Sequence, residues 1–178
     1  MLKLFAADMT RLHSYFGGGS TTWIKLLLLR SVWAVFFIRM RGTTVPVVGV
    51  VLRAFASVVL ANAFKIELAG QCKIGPGLIM PHPNDLIIGA YEIGSNATFM
   101  NSITLGAQFA DPTFSPKKRP RLGDNVTLGV GARVLGGIHL GDNSTVGANS
   151  VVVKDVAANT IVAGVPAHPI RPHTADKL

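Results

Sequence analysis

"LGDNVTLGVGARVLGGIHLGDNSTVG", residues 122–147, carries an aliphatic residue at every sixth position. Leu122, Leu128, Val134, Leu140, Val146 and, just beyond, Val152 keep that spacing without exception. A second series four residues on (Val126, Ala132, Ile138, Ser144, Ser150, Val156) is small or apolar, and Gly, Asp and Asn crowd the places between. Neither the period of a strand nor that of a helix gives six. A parallel β-helix does: each hexad is a short strand and a turn, three hexads close a triangular coil, and equivalent inward residues stack between coils. Gly and Asn at the corners suit the left-handed backbone of tight turns.

Upstream the same phase appears in Leu68, Ile74 and Met80, then in Ile93, Phe99 and Leu105. Two slips interrupt it, around Pro83 to Ile88 and around Asp111 to Lys118. The reading is a mainly β chain with a helical segment over 1–65, the β-helix over 66–160 and a tail over 161–178. The helical expectation rests on apolar runs such as "STTWIKLLLLRSVWAVFFIRMR", which Ser20, Thr21 or Thr22 could cap, and on a second run from Pro46 to about Phe64. Arg30, Arg39, Arg41 and Arg53 break these runs, so they read as helices burying one face against protein rather than as bilayer spans.

Seventeen Lys and Arg against nine Asp and Glu leave a net charge of +8, which suits an anionic partner. The basic residues are scattered along both halves and no nucleic-acid motif is present, which argues against DNA or RNA. One cysteine, Cys72, excludes an internal disulfide framework and fits a reducing compartment. The amino terminus lacks a secretory pattern, since Asp8 and polar residues stand where an apolar stretch belongs. The expected location is therefore cytoplasmic, with peripheral contact at the inner membrane face left open.

The segments "HPNDLIIGAYEIGSNATFMNSITLGA", "RPRLGDNVTLGVGARVLGGIHLGDNSTVGANSVVVKDV" and "IVAGVPAHPIR" resemble the hexapeptide-repeat acyltransferases, and within them the serine O-acetyltransferase branch. The resemblance implies a left-handed β-helix, a homotrimer, acetyl-CoA as donor, and a site in the cleft between subunits. No metal is expected, because a zinc site of the hexapeptide type needs three converging histidines, and here His82 and His139 are far apart while His168 and His173 sit in the tail. It places a general base at His82 and an orienting carboxylate at Glu67. Transfer from a thioester to an alcohol needs such a base, and histidine titrates near neutral pH. A carboxylate on one ring nitrogen fixes the tautomer and stabilises the imidazolium. A proline-flanked loop histidine and a solvated glutamate are the plainer alternatives.

The family's donor groove maps onto the turns Gly106-Ala107, Val130-Gly131 and Ala148, with Lys154 and Arg171 as phosphate partners. Serine-specific members carry an aspartate just before the base and an Arg-His pair in the following loop. Here those places hold Pro81 and the pair Lys118-Arg119. Loss of a carboxylate that meets an ammonium should weaken an amino-acid acceptor most. The expectation is therefore a sugar or polysaccharide hydroxyl as acceptor, with Lys118 and Arg119 facing it, as in exopolysaccharide and capsule acetyltransferases. Serine acetylation in cysteine biosynthesis and a non-catalytic scaffold are the alternatives. Assembly beyond a trimer through the amino-terminal helices is left open.

Overall fold

Lys65, in the left-handed region at φ 55°, is the joint between two kinds of structure. The structure is a computed structural model that describes residues 1–18, 26, 28–42, 46–69 and 71–172. Before the joint the described residues form the helices α1 (Leu2–Tyr15), α2 (Arg30–Arg41) and α3 (Pro46–Val59), the last extended by a wide turn over Leu60–Phe64. Ser20, Thr21 and Thr22, the expected caps, lie outside the described residues. In α2 the buried positions Val32, Val35, Ile38 and Arg39 recur at helical spacing, and Ala34, Val35 and Ile38 join the main core. None of these helices is long and apolar enough to cross a membrane.

After Lys65 the chain winds into three parallel sheets. One holds β1 (Ile66–Leu68), β3 (Leu86–Ile88), β6 (Thr104–Gly106), β9 (Arg133–Leu135) and β12 (Val151–Val152). The second holds β2 (Lys73–Ile74), β4 (Glu92–Ile93), β7 (Arg121–Leu122) and β10 (His139–Leu140). The third holds β5 (Thr98–Phe99), β8 (Thr127–Leu128), β11 (Thr145–Val146), β13 (Thr160–Gly164) and β14 (Ala167–Pro172). Arg121 pairs with His139, Thr127 with Thr145 and Arg133 with Val151, so one coil takes 18 residues, or three hexads. The architecture is the parallel β-helix expected from the repeat, with the left hand that the family resemblance implied. Among the described strands only β14 runs antiparallel, folding 167–172 back onto β13.

The inward series behaves as its spacing predicts: Leu122, Leu128, Val134, Leu140, Val146 and Val152 are all buried. Each full burial of such a side chain contributes roughly 1.5–3 kcal/mol. One corner is held by a ladder of asparagines, all at φ 56–58°. The Asn96 amide donates to Asn125, Asn125 to Asn143 and Asn143 to Asn159, at 2.9–3.2 Å. Asn serves there because its short amide tolerates the left-handed backbone and reaches the next coil.

The two slips in the period are real departures. Ile66 pairs with Leu86, 20 residues on, across a bulge at 81–85. Thr104 pairs with Arg133, 29 residues on, because a loop over 107–120 leaves the wall. The first coil also needs a floor, since β2 is an edge with no coil beneath it. The helices supply it. Arg39 donates to the carbonyls of Ile74 (2.8 Å) and Gly75 (2.6 Å) and is paired with Asp8 at 2.7 Å. Asp8 accepts the Leu78 N–H at 2.8 Å, and Arg11 reaches the carbonyls of Gly77 and Ala97 and the Thr98 hydroxyl. The helical segment therefore caps the open end of the solenoid, as terminal elements of repeat folds must.

Candidate active site

His82 owes its place to the first departure from the repeat. Met80 still points into the core, fully buried, and Pro81-His82-Pro83-Asn84-Asp85 then bulges from the wall. Pro83 is buried and pins the bulge from inside, while Asp85 takes φ 58° to turn the chain back. Backbone bonds fix the return: Asp85 N–H to Phe64 C=O at 3.2 Å, Leu86 N–H to Lys65 C=O at 3.1 Å, and Ser102 N–H to Asn84 C=O at 3.0 Å. The imidazole is left exposed on a cavity of about 460 Å³ between the bulge and the start of α2. Leu28, Leu29, Arg30 and Ser31 form the facing wall.

Glu67 sits at the centre of β1, exposed, level with Ile87 on the next coil. It lines a different cavity, of about 210 Å³, with Arg41 and Ser57. Among the described residues no hydrogen bond joins Glu67 to His82 within the chain.

The second departure holds the predicted acceptor residues, Lys118 and Arg119. Arg119 is committed to folding its own loop. Its Nε donates to the Asp111 carboxylate at 2.9 Å, and its two terminal nitrogens reach the carbonyls of Asp111 (3.0 Å) and Gly89 (3.3 Å). Its guanidinium also lies 4.5 Å from the Phe114 ring centroid. Burial alone would raise the Asp111 carboxyl, but hydrogen bonds from Arg119, Ser115 and Thr113 outweigh it and hold the group below its usual range. Lys118, exposed, lines a cavity of about 200 Å³ with Ala107, Gln108, Phe109, Lys117 and the glycines 136–137. A Cβ at Gly137 would collide with the Lys117 carbonyl, so the loop packs against this turn only because a glycine is there.

The predicted donor residues divide between two corners of the same wall. Gly106 ends β6 in the first sheet, Ala107 and Lys154 follow that sheet's strands, and the Gly136 N–H donates to the Gly106 carbonyl at 2.9 Å. Val130, Gly131 and Ala148 precede it, with the Asn149 N–H bonded to the Val130 carbonyl at 2.7 Å. Arg171 lies in β14. The Gly106 α-carbon faces open space, with nothing within 4 Å of where a side chain would begin, so main chain is accessible there to a narrow ligand arm. Beside it two lysines and the largely exposed Phe109 offer cations for phosphate and a ring for a base. These residues fit a nucleotide-bearing thioester. Phe109 and Lys117 join Lys118 there through loop closure, for which the hexad spacing carries no signal.

Comparison with known proteins bears on both the fold and the acceptor. The family model for the bacterial transferase hexapeptide (six repeats) matches residues 119–154. A serine acetyltransferase of Staphylococcus aureus is 37% identical over 107 residues, covering 60% of this chain and 49% of that protein. The chain thus spans about half the length of the curated relatives it matches. Among solved structures, the serine acetyltransferase of Neisseria gonorrhoeae superposes with a TM-score of 0.81 at 24% identity, covering 97% of this chain and 65% of that one. A serine acetyltransferase in complex with cysteine gives 0.80 at 25% identity, covering 99% and 68%.

These likenesses overturn the sugar-hydroxyl acceptor and the polysaccharide role expected from sequence. That expectation took Pro81 and the Lys118-Arg119 pair as a dismantled amino-acid clamp. Within the chain Arg119 is bonded to Asp111 and its loop, and Lys118 opens onto a cavity other than that of His82.

Proposed function

The chain belongs to the hexapeptide-repeat acyltransferases, in their serine O-acetyltransferase-like branch, and from that premise we propose that it transfers acetyl from acetyl-CoA to the hydroxyl of L-serine. The observation that carries the reading is the placement of His82. It is a lone imidazole on an exposed bulge of an otherwise continuous wall, opening onto a cavity large enough for a small amino acid.

In this reading the His82 ring takes the serine hydroxyl proton as that oxygen attacks the thioester carbonyl. The carbon–sulfur bond then breaks, and the imidazolium returns the proton to the departing thiolate. Glu67, on the strand one coil below β3, is the proposed partner for the other ring nitrogen, holding its tautomer. Gly106, Ala107 and Lys118 with Val130, Gly131, Ala148, Lys154 and Arg171 are the proposed donor surface. Because these positions flank one wall from two corners, a neighbouring copy of the chain in a trimer is the proposed second wall of the groove.

The test is release of free thiol from acetyl-CoA in the presence of L-serine. His82→Ala is expected to lower kcat by about 10²–10⁴-fold, and Glu67→Gln by less. Absence of serine-dependent thiol release from the unaltered protein refutes the acceptor. An active His82→Ala refutes the base.

A further inference from the structure

From the walls of the His82 cavity we infer that Arg30 is the residue that binds the acceptor's α-carboxylate and so sets its specificity for an amino acid. The inference rests on the acetyl transfer to serine proposed above and names the part of the site that selects the acceptor. A hydroxy amino acid brings a carboxylate that must meet a cation before its hydroxyl can be presented to a base. Arg119, expected from sequence to face the acceptor, already holds a carboxylate of its own, Asp111 at 2.9 Å. Lys118 lines the other cavity. Of the residues around the His82 cavity, Leu28 to Ser31 and Pro81 to Asn84, Arg30 is the one permanent cation, and no acidic side chain lies among them to neutralise it.

Arg30 is also pre-positioned relative to the imidazole. One terminal nitrogen donates to the Ala63 carbonyl at 2.6 Å, and the guanidinium lies 5.3 Å from the Phe64 ring centroid. The His82 bulge is tied to the same short stretch of chain, through Asp85 N–H to the Phe64 carbonyl and Leu86 N–H to the Lys65 carbonyl. Base and cation therefore share one support, residues 63–65, so their separation is set by backbone rather than by two independent loops. Among the described residues Ala63 and Phe64 are the only partners of Arg30, and the remaining N–H donors of its planar fork match a carboxylate in two-point fashion. Arg30 begins α2, so the positive end of that helix lies on the same side of the cavity. The Asn84 side chain, across from it on the bulge, offers an amide oxygen to the ammonium group.

Steady-state kinetics with L-serine and L-serinamide as acceptors test this. The unaltered protein is expected to favour serine strongly. Arg30→Gln should raise the KM for serine by about 10- to 100-fold, the range for loss of a charged hydrogen-bonded contact. The KM for acetyl-CoA should stay where it was, and the serine-to-serinamide preference should collapse toward unity. If Arg30→Gln loses its cooperative melt, Arg30→Lys carries the test: it keeps charge and reach but not the fork, and should still raise the KM for serine about tenfold. An unchanged preference in whichever variant folds overturns the inference while leaving His82 and serine acetylation intact. No serine acetylation by the unaltered protein brings down the functional reading and the inference together.

Discussion

Asp8→Ala should be far more damaging than its distance from the candidate chemistry implies. Asp8 and Arg39 are 2% and 5% exposed, and the pair is bidentate: Nε to one carboxylate oxygen at 2.7 Å and a terminal nitrogen to the other at 2.8 Å. Removing the acid leaves a buried guanidinium without its counter-charge, a loss of about 3–5 kcal/mol. It also strands the Leu78 N–H, which Asp8 accepts at 2.8 Å. For a chain of this length each kcal/mol moves the melting temperature by about 2–4 °C, so a fall of about 6–20 °C is expected.

The double variant Asp8→Leu/Arg39→Met is more telling. Replacing both members of an isolated buried ion pair with apolar residues is often neutral or stabilising. Here it is not expected to be, because Arg39 also serves the Ile74 and Gly75 carbonyls at the uncovered edge of the first coil. Three backbone groups would lose their partners, at about 1–3 kcal/mol for each that stays buried. The double variant should therefore remain at least 3 kcal/mol below the unaltered protein, by the same reckoning. Denaturant titration at fixed protein concentration measures both changes. Hydrogen exchange should localise the loss to α1, α2 and the first coil. A single variant within 1 kcal/mol of the parent, or a double variant restored to parental stability, refutes the capping role.

Three further outcomes follow from individual side chains. Among the described residues Ser144 Oγ is buried without a hydrogen-bond partner, so Ser144→Ala should be neutral or stabilise by up to about 1 kcal/mol in the same titration. Burial pushes the Cys72 thiol up to about 12, against an opposing pull from Arg41. It should react much more slowly with a disulfide reagent at pH 8 in the native protein than after denaturation, and since its unfolded value is 9.0, its contribution to stability is present below pH 9 and lost as the pH rises toward 12. Asp111 shifts the other way, so its contribution to loop order is present above its ordinary 3.8 and disappears as the pH falls below that value, which loop exchange rates from pH 6 to 3 would detect.

The repeat was legible because its inward positions face the same environment coil after coil, so one physical requirement is written into the chain many times. Leu122 and Val152 are both buried for the same reason. The breaks were legible too, since Pro83–Ile88 and Asp111–Lys118 fall where the register lengthens. What filled those breaks was not. Arg39 lies 31 residues from Asp8, and Arg30 lies 33 from Ala63, with no periodicity linking either pair. A guanidinium that closes a loop and one that could bind a substrate also look alike in a sequence, so Arg119 drew the role for which the cavity offers Arg30.

That ambiguity has a structural cause. A solenoid wall presents equivalent side chains at equivalent intervals. The two cavities that hold His82 and Lys118 lie where the coil gains residues. The bulge at 81–85 makes the first by lifting His82 off the wall against α2, and the loop at 107–120 makes the second by folding Phe109 and Lys117 over the turn at Gly136. Each break needs a rivet to keep the displaced chain from wandering. The bulge is pinned by buried Pro83 and by bonds to residues 64 and 65, and the loop by Arg119, Asp111 and Phe114. A charged residue inside a break is therefore as apt to be a rivet as a ligand-binding group. Its hydrogen-bond partners separate the two, since the rivet's carboxylate is already supplied by the protein and the binding group's must come from outside.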